Sequence, residues 1–309
     1  MSRFSTLDGL LLLMAVIWGT NYVIIKSAVA ELDPLVFNAF RLTEASIVML
    51  ATMAAVRRAR PPDNARSPAT REWTTIFRTP ASVTRRDWMG LAALGLIGHC
   101  LYQYFFVIGL SRTSVANSSL LIAMTPVLIA LITAATGRDR IRPLHWMGTL
   151  LSLLGIYAVL GHRAHLGGES LRGDVMVAAA VVCWAIYTIG SRELMRRHSP
   201  VGVTGLSMAL GTLMYLPLAA PALTRVPWSA VSVRTWFAIA YSALFALCIA
   251  YTIWYAAVRA IGSARTSVYS NLVPIVAMAT AIVWLGEPLS ASKVAGAAAV
   301  LVGVGLTRL

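Results

Sequence analysis

Ten apolar runs, each about twenty residues long, follow one another along this chain of 309 residues with only short polar breaks. They fall at 7–29, 34–56, 88–111, 113–137, 143–161, 173–191, 200–221, 234–258, 261–286 and 292–308. At about 1.5 Å of rise per residue, such a run crosses a hydrocarbon core of about 30 Å as a helix. Lipid offers no partner to an open backbone group, so each run must close its own peptide hydrogen bonds. A transmembrane barrel is excluded, because its strands alternate over about ten residues and do not stay apolar for twenty. Hydrophobic residues make up 58% of the chain and charged residues 12%, a balance foreign to soluble domains of this length. The chain is read as all-α and integral to the membrane, with ten transmembrane helices.

The first run imitates a secretory leader, with Arg3 before it and Ala28-Val29-Ala30 as a cleavage-like end. It is longer than a leader core and carries Trp18, Asn21 and Lys26, so it is read as a retained span. The net charge of +14 could suggest nucleic acid, but the basic residues lie in the breaks between runs, where they set orientation instead. With the N-terminus inside, seventeen of the 26 Lys and Arg face the cytoplasm and seven face outward, while Arg41 and Arg265 lie within spans. Both termini are therefore expected on the cytoplasmic side of the cell's inner (plasma) membrane. The basic stretch 57–87 is expected to lie near anionic headgroups, with Glu72 to Phe77 as a short interfacial helix. Cys100, Cys183 and Cys248 all sit inside apolar runs and read as small buried hydrophobes. No metal, phosphate-loop or catalytic motif occurs, so the expectation is no cofactor, no metal and no nucleic acid. The expected partners are a small molecule and the bilayer.

The chain also repeats itself. At an offset of 166, Asp8, Trp18, Lys26 and Pro34 meet Asp174, Trp184, Arg192 and Pro200. At an offset of 148, Trp88, Cys100, Pro126, Gly148 and Gly155 meet Trp236, Cys248, Pro274, Gly296 and Gly303. Composition bias aligns leucines and alanines, but not tryptophans and a proline in register. The sequence predicts two homologous five-helix halves, 7–161 and 173–308, the first with a longer linker after its second span. Five is odd, so the halves cross the bilayer in opposite senses. Such an inverted repeat places a binding site near the midplane, at the seam between the halves.

Two runs in particular point to that seam. Pro126 and Pro274 break the fourth and ninth spans and free the carbonyls four residues back, on Ile122 and Ser270. A packing kink is the competing reading for either helix alone; the pairing favours a site between them. Trp18 and Trp184 each lie ten residues past an aspartate, about 15 Å deep on the helical rise. With Asn21 and Tyr187 one turn further on, they read as a cavity wall, against the alternative of packed core tryptophans. His99 and Gln103 stand one turn apart in the third span with Phe106 beside their stripe; Leu247, Tyr251 and Trp254 hold the matching places in the eighth, with Tyr255 alongside. His99 reads as a substrate ligand or proton carrier, or else as a satisfied structural histidine. Asn117 and Asn271 are candidates for holding a substrate's carboxylate or amine, while Ser118, Ser119, Ser267 and Ser270 read as interhelical glue. Arg41 and Glu44, three residues apart, read as a structural pair, with Arg41 snorkelling to the outer surface. Stripes of small residues in spans five and ten allow close approach, within the fold or across a homodimer. Span one has no mid-depth acid for an obligate proton antiporter of small multidrug type; Asp8 and Asp174 stand at helix starts, as caps.

Taken together, Trp18-Gly19-Thr20-Asn21, Asp33-Pro34 followed by Arg41, and Gly109-Leu110 through Thr113-Ser114-Val115-Ala116-Asn117 to Thr125-Pro126 resemble the drug/metabolite transporter superfamily, of the EamA type. Ala260-Ile261-Gly262-Ser263-Ala264, Val273-Pro274 and Gly286-Glu287-Pro288 carry the resemblance through the second half. Gly137-Arg138-Asp139 departs from the usual Gly-Glu ending, so no role transfers to that loop. The resemblance implies two inverted EamA repeats, export of amino acids or other small metabolites, and a central cavity lined by helices one, three, four, six, eight and nine. The expected mechanism is alternating access of the two halves. A membrane-embedded enzyme acting on lipid-linked substrates is the alternative, and a non-transporting structural or lipid-scrambling protein a third. The enzyme would need a catalytic carboxylate or His/Asp set near an interface, where only scattered charges stand.

Overall fold

The computed structural model describes residues 6–59, 75–78, 81–135, 147–148, 150–151, 154–155, 169–261, 266, 269–270, 272–288 and 290–306. All regular structure among them is helical. The helices are α1 (Thr6–Ala28), α2 (Pro34–Arg58), α3 (Arg85–Arg112), α4 (Val115–Ile122) and α5 (Thr125–Ala135). They continue as α6 (Glu169–Leu194), α7 (Pro200–Leu223), α8 (Val233–Ile261), α9 (Leu272–Leu285) and α10 (Ala291–Leu306). Thus α4 and α5 share the fourth predicted span, and the fifth lies largely outside the described residues. So does Glu72; residues 75–77 of the expected interfacial helix form a single helical turn.

Six helices are long and apolar enough to cross a bilayer: α1, α2, α3, α7, α8 and Ser170–Leu194 of α6. Their starts follow local chemistry. Asp33 caps α2 by accepting the Leu35 N–H at 2.8 Å, with Pro34 in the first turn where no N–H is required. Ser199 caps α7 in the same way through Gly202 N–H at 3.1 Å, again just before a proline.

Polarity is distributed as in a lipid-facing bundle. Phe237 and Val283 are 72% and 78% exposed on the outside, while Arg41, Tyr187, Tyr215 and Tyr255 are among the largest fully buried side chains. The chain is an all-α membrane protein.

The broadest packing joins residues distant in sequence. α2 lies along α7, α3 along α6, and α1 along both α8 and α9, while α6 also packs on α4 and α5. Exchanging α1 with α6, α3 with α8 and α4–α5 with α9 reproduces the same set of neighbours.

Both α3 and α8 change their winding midway. Leu96–Leu101 and Ser242–Ile249 are π-helical, so that Tyr102 N–H reaches Ile97 O and Ala250 N–H reaches Phe245 O, five residues back. At an offset of 148 these segments overlap. Gly98 lies inside the first, and a Cβ there would fall 2.3 Å from the Tyr187 ring. Only glycine lets α6 rest that ring on the π turn.

Candidate functional site

A cavity of about 800 Å³, its open mouth included, lies among α1, α3, α4, α5, α6, α8 and α9. Its wall is mainly aromatic. Trp18 stands at the centre, edge-on to Trp184 (ring centroids 6.2 Å) and to Tyr251 (5.9 Å), and tilted on Trp254 (5.5 Å). Tyr102 meets Trp184 at 5.1 Å and stacks on Phe106 at 5.7 Å. The tryptophans related by the 166-residue offset therefore touch each other. Edge-to-face pairs contribute about 0.5–1.5 kcal/mol each beyond burial, so the cluster is a stiff surface.

The π turn of α8 helps to hold that centre. Since Ala250 N–H bonds Phe245 O, it does not take the Ala246 carbonyl, which accepts the Trp18 Nε1–H at 3.0 Å. The Nε1–H of Trp254 has no acceptor among the described residues. Asn21, also on the wall, accepts a hydrogen bond from the Ser242 hydroxyl.

The broken fourth span is resolved locally. After Ile122, two residues form a turn, and α5 starts at Thr125 with Pro126 in its first turn. The Ile122 carbonyl, which the proline deprives of its helical donor, accepts the Thr125 hydroxyl at 2.6 Å. Ile122, Ala123 and Thr125 face the cavity, as do Ser270, Val273 and Pro274.

The polar side of the wall departs from the sequence reading. Arg41 does not snorkel and does not pair with Glu44; it is buried and lines the cavity. Its Nε and Nη2 donate to Asn38 Oδ1 at 3.1 and 2.8 Å, and Nη2 also donates to Gln103 Oε1. The reason is packing: α2 sits between α7 and the π turn of α8 and contacts α3, so the Arg41 face never meets the surface. The cavity therefore draws on α2 as well as on the six helices expected. Besides Arg41, sequence reasoning missed Tyr22, Tyr102 and Ser119 as lining residues. Arg41 alone had left a signal, a charge inside a span.

Three expected site residues stand elsewhere. His99 is wholly buried behind the wall, its Nε2 3.0 Å from the Tyr187 hydroxyl and its Nδ1 without a partner among the described residues. His99 and Gln103 stand one turn apart, yet only Gln103 lines the cavity, because the His99 ring is covered by Tyr187 of α6 and its Cβ lies against Gly211 of α7. Tyr187 is equally buried, packed on His99 at 5.0 Å between ring centroids. Asn117 lies near the end of the bundle, where its Nδ2 donates to Asp174 Oδ2 at 3.3 Å. Asp174 in turn accepts the Thr113 hydroxyl at 2.5 Å; it tethers α3 and α4 to α6 and does not cap its own helix, which starts at Glu169. Asp8 accepts the Tyr269 hydroxyl. Asn271 and Arg265 lie outside the described residues.

Gly286 ends α9 at φ +62°, a conformation that disfavours side chains, and lets Glu287 N–H close back on Ala281 O at 3.2 Å. That turn aims the Glu287 carboxylate at the start of α4, where Val115 N–H donates at 2.8 Å. Lys26 caps the adjacent end of α3, donating to the carbonyls of Leu110, Ser111 and Thr113 at 2.9, 2.9 and 2.6 Å. At the opposite end of α3, Arg197 lies 3.4 Å and His198 3.2 Å from Asp87.

The profile of the EamA-like transporter family matches residues 6–161 and again 171–309. The chain belongs to that family. This EamA-like transporter is 26% identical to an uncharacterized transporter of Archaeoglobus fulgidus over 96% of each chain. It is 30% identical to a probable terminal-alkyne amino-acid exporter of Streptantibioticus cattleyicolor, over 74% of this chain and 77% of that one. An aromatic amino acid exporter of Ancylobacter novellus is 33% identical over 44% of this chain and 47% of its own. A solved crystal structure superposes with a TM-score of 0.65 at 20% identity, covering 99% of this EamA-like transporter and 96% of the other chain; the fold is shared.

Proposed function

We propose that this EamA-like transporter is a secondary transporter of the inner membrane that exports small organic metabolites, amino acids or related compounds, by alternating access. The halves 7–161 and 173–308 are the moving units, with both termini in the cytoplasm. The observation that carries this reading is the aromatic cavity built jointly by Trp18 and Gln103 from one half and Trp184, Tyr251 and Trp254 from the other. Contacts that join the halves at both ends support it further. Glu287 on the α4 amides and Asp174 on Thr113 and Asn117 close one end; Asp87 with Arg197 joins them at the other. Each is an exposed or end-of-helix bond that can break and re-form as the halves rock.

In this reading the tryptophans and Tyr251 hold the apolar part of the cargo, while Asn21, Gln103 and the free Trp254 N–H orient its polar groups. Asn117 works in the end closure, and His99 with Tyr187 supports the wall from behind. Two relatives named as exporters of amino acids support a cargo of this class. The test is counterflow of amino acids in liposomes containing the purified full-length chain. Trp18→Ala is expected to insert normally and lose at least tenfold in rate. Parental rates with every candidate solute would refute the site.

A further inference from the structure

Arg41 is the one charged side chain among the described residues lining the cavity, and it is 1% exposed. Both of its protein acceptors, Asn38 and Gln103, are neutral; no carboxylate bonds it among the described residues. A guanidinium presents five N–H donors. Nε and Nη2 are taken, whereas Nη1 has no acceptor among the described residues. Gln103 turns its Oε1 to Arg41, and its own amide N–H group has no acceptor among the described residues. A charge buried without a counter-charge is strongly unfavourable, and intramembrane charges that face a cavity mark substrate or ion pathways. The rest of the wall is aromatic or apolar, with a few neutral polar groups.

We infer that Arg41 binds the cargo: steadied by Asn38 and Gln103, it takes the carboxylate of the exported metabolite while the aromatic cluster holds the remainder. This rests on the transport reading above and narrows it to carboxylates. A single planar cation matches one planar, singly charged anion; a phosphate ester would call for more positive charge than this wall provides. Asn38 holds the guanidinium edge that includes Nε, so the Nη1 side, next to the Gln103 amide, is the one left for the ligand.

The experiment loads liposomes containing the full-length chain with an equimolar pool of amino acids and their C-terminal amides, and follows efflux by mass spectrometry. The acids are expected to leave at least tenfold faster than their matched amides. Arg41→Gln should lower acid efflux at least tenfold and bring the acid-to-amide ratio close to one, while Arg41→Lys retains part of the preference. Equal efflux of acids and amides from the parent chain overturns the Arg41 assignment and leaves the transport reading standing. Efflux of neither above protein-free liposomes sinks the transport reading, and this inference with it. If Arg41→Gln does not fold, a ratio near one in the parent protein still overturns the assignment, and a reduced preference in Arg41→Lys supports it.

Discussion

α3 and α8 occupy equivalent places and share a π-helical midsection, yet they present opposite chemistry to the cavity. Where α3 carries Gly98, His99, Gln103 and Phe106, α8 carries Ala246, Leu247, Tyr251 and Trp254. Gln103 anchors Arg41, whereas Tyr251 packs on Trp18 and Trp184. Even their starts correspond. Thr84 caps α3 and its partner carboxylate is Asp87 of the same helix. Ser232 caps α8, but the matching position there is Thr235, and the carboxylate comes from Glu31 in the α1–α2 turn. The same geometry occurs twice, and the side chains differ: α3 sets the amide of Gln103 between Tyr102 and Phe106, whereas α8 lines the cavity with Ala246, Leu247, Tyr251 and Trp254. A cargo with a charged end and an apolar end fits such a seam.

The largest effect should come from making α3 resemble α8 where it cannot. Gly98→Ala pushes a methyl into the Tyr187 ring, an overpacking expected to cost about 3 kcal/mol, whereas Ala246→Gly should cost about 1 kcal/mol or less. Thermal unfolding followed by tryptophan fluorescence compares the two directly, and equal losses would break the contrast. Next comes Gln103→Leu, which strips Arg41 of one acceptor and should cost about 2 kcal/mol with at least a tenfold drop in transport. Tyr251→Phe removes only a hydroxyl and should stay within about 0.5 kcal/mol. Between these two, His99→Leu copies the α8 residue and loses the bond to Tyr187, about 1 kcal/mol, with transport rate changed less than twofold in the same liposome assay.

The smallest effect concerns the borrowed cap. Hydrogen bonds from the Thr235 and Ser232 hydroxyls, and from the Ser232 N–H, hold the Glu31 carboxyl below its ordinary range. A depressed carboxyl stabilises the fold above its unfolded pKa and loses that contribution as pH falls through the folded value. Wild type should therefore melt slightly above Glu31→Gln at neutral pH, and the two should converge in acid. A gap that widens on acidification would contradict the borrowed-cap reading.

Much of the arrangement was legible in the chain. Run lengths gave the helices, and the breaks at Pro126 and Pro274 marked two cavity walls. The offset of 166 paired the two tryptophans that prove to touch. What misled was the cover over one turn: His99 and Gln103 stand four residues apart, but Tyr187 packs over His99 and leaves only Gln103 on the cavity. Asp174 shows a second limit, since it lies five residues inside a helix that the sequence reading started at 173, which made a tether look like a cap. Arg41 shows a third, because rise along a helix measures depth but not which neighbour covers a face.

By itself, then, the sequence determined that this protein is built of apolar membrane helices and which stretches form most of those described. Those are properties of local hydrogen bonding and of transfer into lipid, which each segment satisfies alone. Only the tertiary structure decided that Arg41 faces inward, that His99 stands behind the wall, and that Glu31 finishes another helix's cap. Each of these depends on what packs against a face, and that is fixed when helices from distant parts of the chain come together.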